Sequence, residues 1–223
     1  PANMDAKKTS LLPRLLREAR TLPHAPSSDR FDASVLLADI SGFTALGERL
    51  KHEHGEEHGI ELFAQRISDA LSRCIAEVHR LGGSVVKIAG DCLICTFTPR
   101  RTGSEDVTVS DRRAALCASR LLAAIKAVDS SLDIHGGVCS GSLQRIHLSA
   151  PLPGKRDRQR WFLLAGPALV RAGKLLDRSP KGTMAMGPVL ITRERPFQDP
   201  ELEEAAHASS GDTDTDDDKD TDH

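Results

Sequence analysis

Two kinds of apolar pattern divide the chain into predicted strands and helices. The nearly continuous apolar run Phe31–Ala38 predicts a strand that is buried on both faces. From Gly59 to Leu81, apolar residues recur at every third or fourth position, which predicts an amphipathic helix. The glycine pair at 82–83 is predicted to end this helix.

The remaining elements follow the same two periodicities. The pattern predicts strands at Ser84–Ile88, Cys92–Phe97, Leu132–Ser140, Leu143–Leu148, Arg160–Leu164 and Thr183–Gly187, and helices at Gly42–Lys51, Asp111–Val128 and Pro167–Leu176. Turns are expected at 89–91 and around Gly141, and Asp111 is expected to cap its helix. Because strands and helices do not alternate strictly, the order predicts an α+β sandwich with helices on an antiparallel-rich sheet.

Length and charge predict one domain with a tail at each end. Of the 223 residues, 1–30 are predicted to form a lead-in helix and linker, 31–195 the domain, and 196–223 an acidic disordered tail. Seven aspartates lie in the eleven residues from Asp212 to Asp222. Because this stretch has too little apolar surface to bury, it is not expected to fold. The chain begins with Pro1, which predicts an excised domain or a processed product.

The five cysteines predict a reducing compartment. Their count is odd, no secretory signal precedes them, and they lie inside apolar patterns, so we expect buried thiols and a cytoplasmic location. Cys92 and Cys95 have the spacing of a redox or zinc pair, but in a strand they would point to opposite faces. No apolar run approaches the roughly twenty residues of a membrane span.

Two aspartates stand where apolar strand residues stop. Asp39 leads into a turn of small residues at a predicted helix start, whose amides can face an anion. Asp91 follows Gly90 at a predicted hairpin tip. Such aspartates are often turn formers or caps, but a pair of them suits Mg²⁺, which favours one or two carboxylates together with phosphate oxygens.

The segments Asp39-Ile-Ser-Gly-Phe-Thr44 and Lys87-Ile-Ala-Gly-Asp91 resemble the paired motifs of the class III nucleotidyl cyclases. Within that family the chain is most similar to the first catalytic domain of the soluble, bicarbonate-responsive adenylyl cyclases, and the resemblance runs from Ser34 to Ile191. It implies a ferredoxin-like core, conversion of ATP to 3′,5′-cyclic AMP and pyrophosphate, and two Mg²⁺ or Mn²⁺ ions.

The resemblance also implies roles for individual residues. Asp39 and Asp91 would share the two ions, with the carbonyl of Ile40 as a further metal ligand. The remaining implied nucleotide contacts are the amides of Ser41, Gly42, Phe43 and Thr44 around the β- and γ-phosphates, together with Gly90, Lys87 and Lys174. The Phe43 ring itself is expected to plug the sheet and not to stack on a base.

Lys87 has several possible roles. In family members a lysine here helps to read the purine or lines a bicarbonate pocket, but a strand lysine also reaches solvent by snorkelling. Bicarbonate is therefore a possible effector, and the choice between ATP and GTP stays open.

Three positions depart from the family pattern. Leu163 stands where the purine-reading carboxylate or threonine belongs, Val170 where the ribose-orienting asparagine belongs, and Lys174 where an arginine belongs. Lysine keeps the charge but lacks the bidentate fork. The resemblance therefore implies the metal-binding half of a pseudo-heterodimer whose complementary cyclase domain supplies these groups. The apolar side chains at 163, 164 and 170 are alternatively ordinary core.

Two rival functions remain: a non-catalytic module that binds nucleotide or bicarbonate and regulates a partner, and a plain dimerisation domain. Two further segments carry weaker chemistry. The histidine-rich segment from Lys51 to His58 favours a solvated loop over a metal site. The basic segment from Lys155 to Trp161 has little aromatic interleaving, so no nucleic-acid partner is expected.

Overall fold

A sheet of seven strands, flanked by helices, organises the part of the chain that the structure describes. The structure is a computed structural model that describes residues 26–99, 107–151 and 158–208. The elements are, in chain order, β1 (Ser27–Ser41), α1 (Phe43–His54), α2 (Glu56–Arg80), β2 (Ser84–Ala89), β3 (Cys92–Phe97), α3 (Val107–Val128), β4 (Asp133–Pro151), β5 (Arg158–Ala165), α4 (Pro167–Leu176), β6 (Met184–Met186), β7 (Val189–Ile191) and α5 (Pro200–Ala208).

The two long strands β1 and β4 form the centre of the sheet. The order is β2-β3-β1-β4-β6-β7, and β5 also pairs with β4. All pairs are antiparallel except β4 with β6, which are parallel. This arrangement confirms the predicted α+β fold with an antiparallel-rich sheet.

The larger core lies between the sheet and the helices α1, α2, α3 and α5. Leu36, Ala38 and Ile40 of β1 point into it, because alternate strand residues share a face. We call this side of the sheet the helical face.

The opposite side carries a smaller core beneath α4, and we call it the site face. Val35 and Leu37 of β1 pack here against Ala168 and Ala172 of α4. The helix backbone comes very close to β4: a Cβ at Gly137 would lie 2.5 Å from the carbonyl oxygen of Ala172. Asp39 continues this row of β1 residues, so it lies on the site face beyond the end of the small core.

The central strands differ from the prediction. β1 begins at Ser27, inside the predicted linker, and β4 runs without a break through Gly141, where two strands were predicted. The reason is the pairing between them, which is continuous from Ser27 opposite His147 to Ser41 opposite Asp133. Gly141 adopts a φ of 143° within this ladder. A glycine that predicts a turn is here tolerated inside a strand.

The start of α3 also differs from the prediction. The helix begins at Val107, so Asp111 lies within it and does not cap it. Its Oδ1 atom accepts hydrogen bonds from the hydroxyl groups of Ser34 on β1 and Ser140 on β4. The aspartate therefore ties the helix to the two central strands.

The C-terminal side differs as well, because part of the predicted tail is helical. Asp199 is 3% exposed, and its carboxylate accepts two hydrogen bonds from the Arg112 guanidinium, at 2.6 and 2.9 Å. Phe197 and Leu202 pack against the larger core. The prediction of disorder from residue 196 is therefore wrong as far as Ala208, and the aspartate-rich stretch lies outside the described residues.

Two smaller predictions can also be judged. The segment predicted to be a histidine-rich loop forms the end of α1 and the start of α2, separated by Gly55, and it is exposed as expected. All five cysteines are free, and Cys74, Cys95 and Cys117 are buried. Among the described residues, the structure holds no helix that is both long and apolar enough to cross a membrane.

Candidate active site

The two predicted aspartates come together at one end of the sheet. Asp39 lies near the end of β1 opposite Cys92 of β3, and Asp91 directly precedes Cys92 in the chain. The amide of Ile40 donates a hydrogen bond to the carbonyl oxygen of Asp91 at 3.1 Å. This bond fixes the hairpin tip to β1, so the two carboxyl groups are neighbours.

Glycine shapes the hairpin that carries Asp91. Ala89 pairs with Cys92, which leaves a two-residue loop of Gly90 and Asp91. Gly90 has a φ of 67°, as the first central position of a type II′ turn requires. The predicted turn is confirmed, and the aspartate is exposed at its tip.

The surroundings of Asp39, including the Asp91 carboxylate, destabilise its charged form. Burial raises the pKa of Asp39, and the neighbouring Asp91 carboxylate raises it further, whereas His135 acts in the opposite direction. His135 lies directly opposite Asp39 on β4. Two like charges held together in this way favour a proton or a cation between them.

A helix start lies beside the pair. α1 begins at Phe43, directly after Gly42, and no side chain caps it. Its first intrahelical bond is donated by Leu46 to the carbonyl oxygen of Gly42 at 3.0 Å, so the earlier amides in this turn have no intrahelical acceptor. These amides include those of Phe43 and Thr44, for which the family resemblance implies contacts with phosphate.

Gly42 allows the chain to reach this position. Its φ is 103°, and a Cβ there would lie 2.8 Å from the carbonyl oxygen of Ser131. The adjacent Phe43 ring packs edge-on against the Phe63 ring of α2, with 6.5 Å between the ring centroids. The turn therefore requires a glycine at this position, both for its conformation and for its close approach to the 131–132 segment.

Lys87 shares the site face with the aspartates. It pairs with Ile94, which pairs in turn with Leu37, two residues before Asp39. The lysine is exposed. A role in binding a purine or bicarbonate stays a prediction.

The three departing positions are all exposed. Leu163 is 47% exposed and Val170 58%, and Lys174 follows Val170 by one helical turn on α4. The alternative that Leu163 and Val170 are core residues is therefore wrong, whereas Leu164 does pack against the smaller core. Exposed apolar side chains at these positions leave the polar groups of the family pattern missing from this chain.

Two polar neighbours of Asp39 and Asp91 were not predicted from the sequence. They are the His135 imidazole and the Ser41 hydroxyl group. The His135 Nδ1 and Ser41 Oγ atoms are buried and, within the described residues, have no hydrogen-bond partner. The sequence placed His135 in the predicted strand Leu132–Ser140, but the pairing of that strand with β1 and its register with Asp39 could not be predicted. Cys92 is also close: burial, followed by Asp39, raises the pKa of its thiol to about 11.

Asp39 and Asp91 bring two carboxylates together at this end of the sheet. Among the described residues, no group of three or more histidine, cysteine or acidic side chains is arranged to hold a metal ion. A groove of about 420 Å³ lies elsewhere, between α2 and α3, with Arg73 and Ala124 among its lining residues. The Asp39–Asp91 pair fits an ion that takes its remaining ligands from water and phosphate.

Comparison with known proteins relates the chain to cyclases. No protein-family model matches it. Over 160 residues, or 71% of the chain, it is 28% identical to adenylate cyclase type 10 of Rattus norvegicus, of which it covers 10%. The chain thus spans about a tenth of the length of the curated relatives that it matches over this stretch.

Solved structures share its fold. The adenylyl cyclase CyaB from P. aeruginosa is 18% identical with a TM-score of 0.55, over 72% of this chain and 78% of that one. A class III adenylyl cyclase-like ATP-binding protein from Pseudomonas aeruginosa is 19% identical with a TM-score of 0.57, over 80% of this chain and 41% of that one. In its fold and over most of its sequence, the chain is therefore similar to class III nucleotidyl cyclase domains.

Proposed function

We propose that this domain is the metal- and phosphate-binding half of an adenylyl cyclase site, which converts ATP to 3′,5′-cyclic AMP and pyrophosphate. The observation that carries the proposal is the meeting of Asp39 and Asp91 beside an uncapped helix start. Neither feature stabilises the isolated fold, because the carboxylates repel each other and the amides lack acceptors. Both are satisfied together by a cation bound to a polyphosphate.

The donor set suits Mg²⁺ or Mn²⁺. Asp39 and Asp91 offer carboxylate oxygens and Ile40 a backbone carbonyl, all of which are hard ligands. The unpartnered atoms of Ser41 and His135 next to them indicate room for further hydrogen bonds. Two ions held here would neutralise charge on the attacking 3′-oxygen, the α-phosphate and the departing pyrophosphate.

The chain's own groups bind and orient the nucleotide in this proposal. The first-turn amides of α1 donate hydrogen bonds to the β- and γ-phosphates, and the positive end of the helix dipole favours their charge. Gly42 holds this helix start against the 131–132 segment, so the amides are fixed before the nucleotide arrives. Pre-organised donors of this kind contribute to catalysis because they need no rearrangement.

The other half of the site comes from a second, non-identical domain. Leu163 and Val170 offer no hydrogen bonds to a purine or a ribose, and Lys174 lacks the fork of an arginine. A symmetric pair of this chain would repeat the same deficiencies on both sides. A complementary domain that covers these exposed apolar side chains and brings the missing polar groups would complete one site.

ATP is proposed as the substrate because the curated relative is named an adenylate cyclase. The position that reads the purine is apolar in this chain, so the partner domain would set the choice between ATP and GTP.

A second candidate is a module that binds ATP and regulates a partner without catalysis. The apolar residues at 163 and 170, and the lysine in place of an arginine at 174, favour it. One of the structural relatives is itself described as a cyclase-like ATP-binding protein. Both candidates use the same paired aspartates.

Calorimetric binding of a non-cyclisable ATP analogue tests the shared part of both candidates. We expect binding that requires Mn²⁺ and is lost in Asp39→Ala. Metal-independent binding of the analogue, or equal binding by the variant, would refute both candidate functions. Cyclase assays after mixing with a complementary cyclase domain then separate them, since cyclic nucleotide formation that is lost in Asp91→Ala supports the catalytic candidate and its absence supports the module.

A further inference from the structure

Two buried hydrogen-bonding atoms without partners flank Asp39. They are Ser41 Oγ and His135 Nδ1, and both belong to a short set of such atoms in the described residues. Leaving a buried polar atom unpaired costs about 1–3 kcal/mol. Two of these penalties at one place indicate that something else binds there.

The strand register puts both side chains on the same face as Asp39. His135 is the direct cross-strand partner of Asp39, and Ser41 lies two residues further along β1. Direct partners have Cβ atoms roughly 4.5–5.5 Å apart, and diagonal partners such as Ser41 and His135 are roughly 7–8 Å apart. Asp39 is therefore bracketed by a hydroxyl on one side and an imidazole on the other.

The nearest alternative partner is already occupied. Asp133 lies opposite Ser41, but its Oδ2 atom is held by the Lys126 ammonium at 3.2 Å. Its Oδ1 atom accepts from the amide of Ile134 at 3.3 Å. The Ser41 hydroxyl has no such contact, and its residue lies on the same face of β1 as Asp39.

We propose that Ser41 and His135 are positioning residues, which hydrogen-bond the water molecules carried by the divalent ion at Asp39 and Asp91 and so fix its place. Mg²⁺ and Mn²⁺ keep several waters when carboxylates bind them, and those waters need hydrogen-bond partners. A hydroxyl both donates and accepts, and the unprotonated nitrogen of an imidazole accepts. This inference rests on the proposed function of the aspartate pair.

Mn²⁺ titration of the whole chain, followed by electron paramagnetic resonance without nucleotide, tests the inference. We expect Ser41→Ala and His135→Leu to weaken Mn²⁺ binding by about tenfold or more, the range found when outer partners of a metal ligand are removed. Ser41→Thr and His135→Gln keep a hydrogen-bonding group, and we expect them to recover most of the affinity.

The sign of the histidine effect separates positioning from simple charge. If His135 acted only through the positive charge of an imidazolium, removing it would strengthen cation binding. Weaker binding by His135→Leu therefore supports positioning, and tighter binding overturns it.

Thr96→Val provides a matched control. Thr96 Oγ1 is another buried atom without a partner, on the same face of β3 but four residues from Cys92, about 13 Å away. We expect this variant to bind Mn²⁺ as the wild type does. An equal loss in the control would mean that the effect is one of folding, and the inference would fall.

The result also separates the inference from the proposed function. If Asp39→Asn abolishes Mn²⁺ binding while Ser41→Ala and His135→Leu retain it, the inference fails and the aspartate site stands. If the wild type itself binds no Mn²⁺, with or without the ATP analogue, both fail. Should His135→Leu not fold, Ser41→Ala and its threonine rescue decide alone.

Discussion

Asp39→Asn should make the metal-free protein more stable and the metal-bound protein less so. The wild-type carboxylate is half-buried beside Asp91, and both burial and that neighbour raise its pKa. A raised pKa means that the folded state disfavours the charged form, so ionisation of Asp39 destabilises the fold at neutral pH. The amide removes this penalty and can donate a hydrogen bond to Asp91.

The size of the effect follows from Coulomb's law with solvent screening. Two unit charges about 4 Å apart repel by about 1 kcal/mol in water and about 4 kcal/mol at an effective dielectric constant of 20. Because Asp91 is exposed at its hairpin tip, we take the lower figure of about 1 kcal/mol. For a chain of this size that corresponds to a melting temperature about 2–4 °C higher for the variant.

The pH dependence carries a sign that can be checked. The penalty on the wild type grows as pH rises from the ordinary carboxyl pKa of 3.8 through the raised pKa of folded Asp39, and it is complete above that. The advantage of Asp39→Asn should thus be absent near pH 3, grow as pH rises, and become constant above the raised pKa. Melting curves by circular dichroism over this range, in a chelating buffer, measure it.

Adding Mn²⁺ should reverse the order of stability. At a free concentration of about 100 times the dissociation constant, a bound ion stabilises the wild type by about 2.7 kcal/mol and leaves the variant unchanged. Asp133→Asn is the control on the same face, since its carboxylate pairs with Lys126 and not with the metal. If Asp39→Asn is the less stable protein without metal, or if Mn²⁺ stabilises both alike, the two aspartates are not a cation site.

Two further predictions concern the supports of the site. Gly42→Ala should destabilise the protein by about 1–3 kcal/mol, because an alanine at a φ of 103° is strained and its Cβ would lie 2.8 Å from the Ser131 carbonyl oxygen. Urea unfolding measures this loss of stability. Gly55→Ala is the control for backbone strain alone, because a Cβ at Gly55 meets nothing within 4 Å. An unchanged midpoint for Gly42→Ala would contradict the close approach of α1 to the 131–132 segment. Arg112→Ala should speed hydrogen exchange throughout α5, because it leaves the buried Asp199 carboxylate without its guanidinium. Glu201→Ala removes only an exposed contact of the same arginine and should leave exchange in the rest of α5 unchanged, and equal effects of the two variants would show that the buried pair does not hold the helix.

Local patterns predicted the elements that bring the aspartates together. The hairpin at Gly90 and the helix start after Gly42 both depend on a glycine at a fixed place, and such places are readable from sequence. The long helix α2 was predicted for the same reason, since its apolar spacing is regular. These are features that a few neighbouring residues determine.

Features that depend on distant pairing were not predictable in the same way. Gly141 is a turn signal by itself, but fifteen residues of β1 pair across it and keep β4 extended. The local sequence around Asp111 predicts a helix cap. In the structure, its carboxylate instead accepts hydrogen bonds from Ser34 and Ser140, which are distant in the chain. The residues 197–208 look like part of a polar tail, and only Arg112 on α3 and the larger core explain why they are ordered.

The exposure of Leu163 and Val170 changes the meaning of the missing polar groups. Had these side chains been buried, the loss of a carboxylate and an asparagine would be an ordinary packing substitution. About half of each residue is instead exposed to solvent, 47% for Leu163 and 58% for Val170. Exposed apolar side chains do not stabilise the fold, and together they favour a surface that binds a partner. A chain that keeps two mutually repelling aspartates on one side, and replaces polar groups by exposed apolar ones on the other, has the features of one specialised half of a shared site. Under the proposed function, a symmetric homodimer of this chain would bring together two copies of the aspartate pair and none of the missing polar groups.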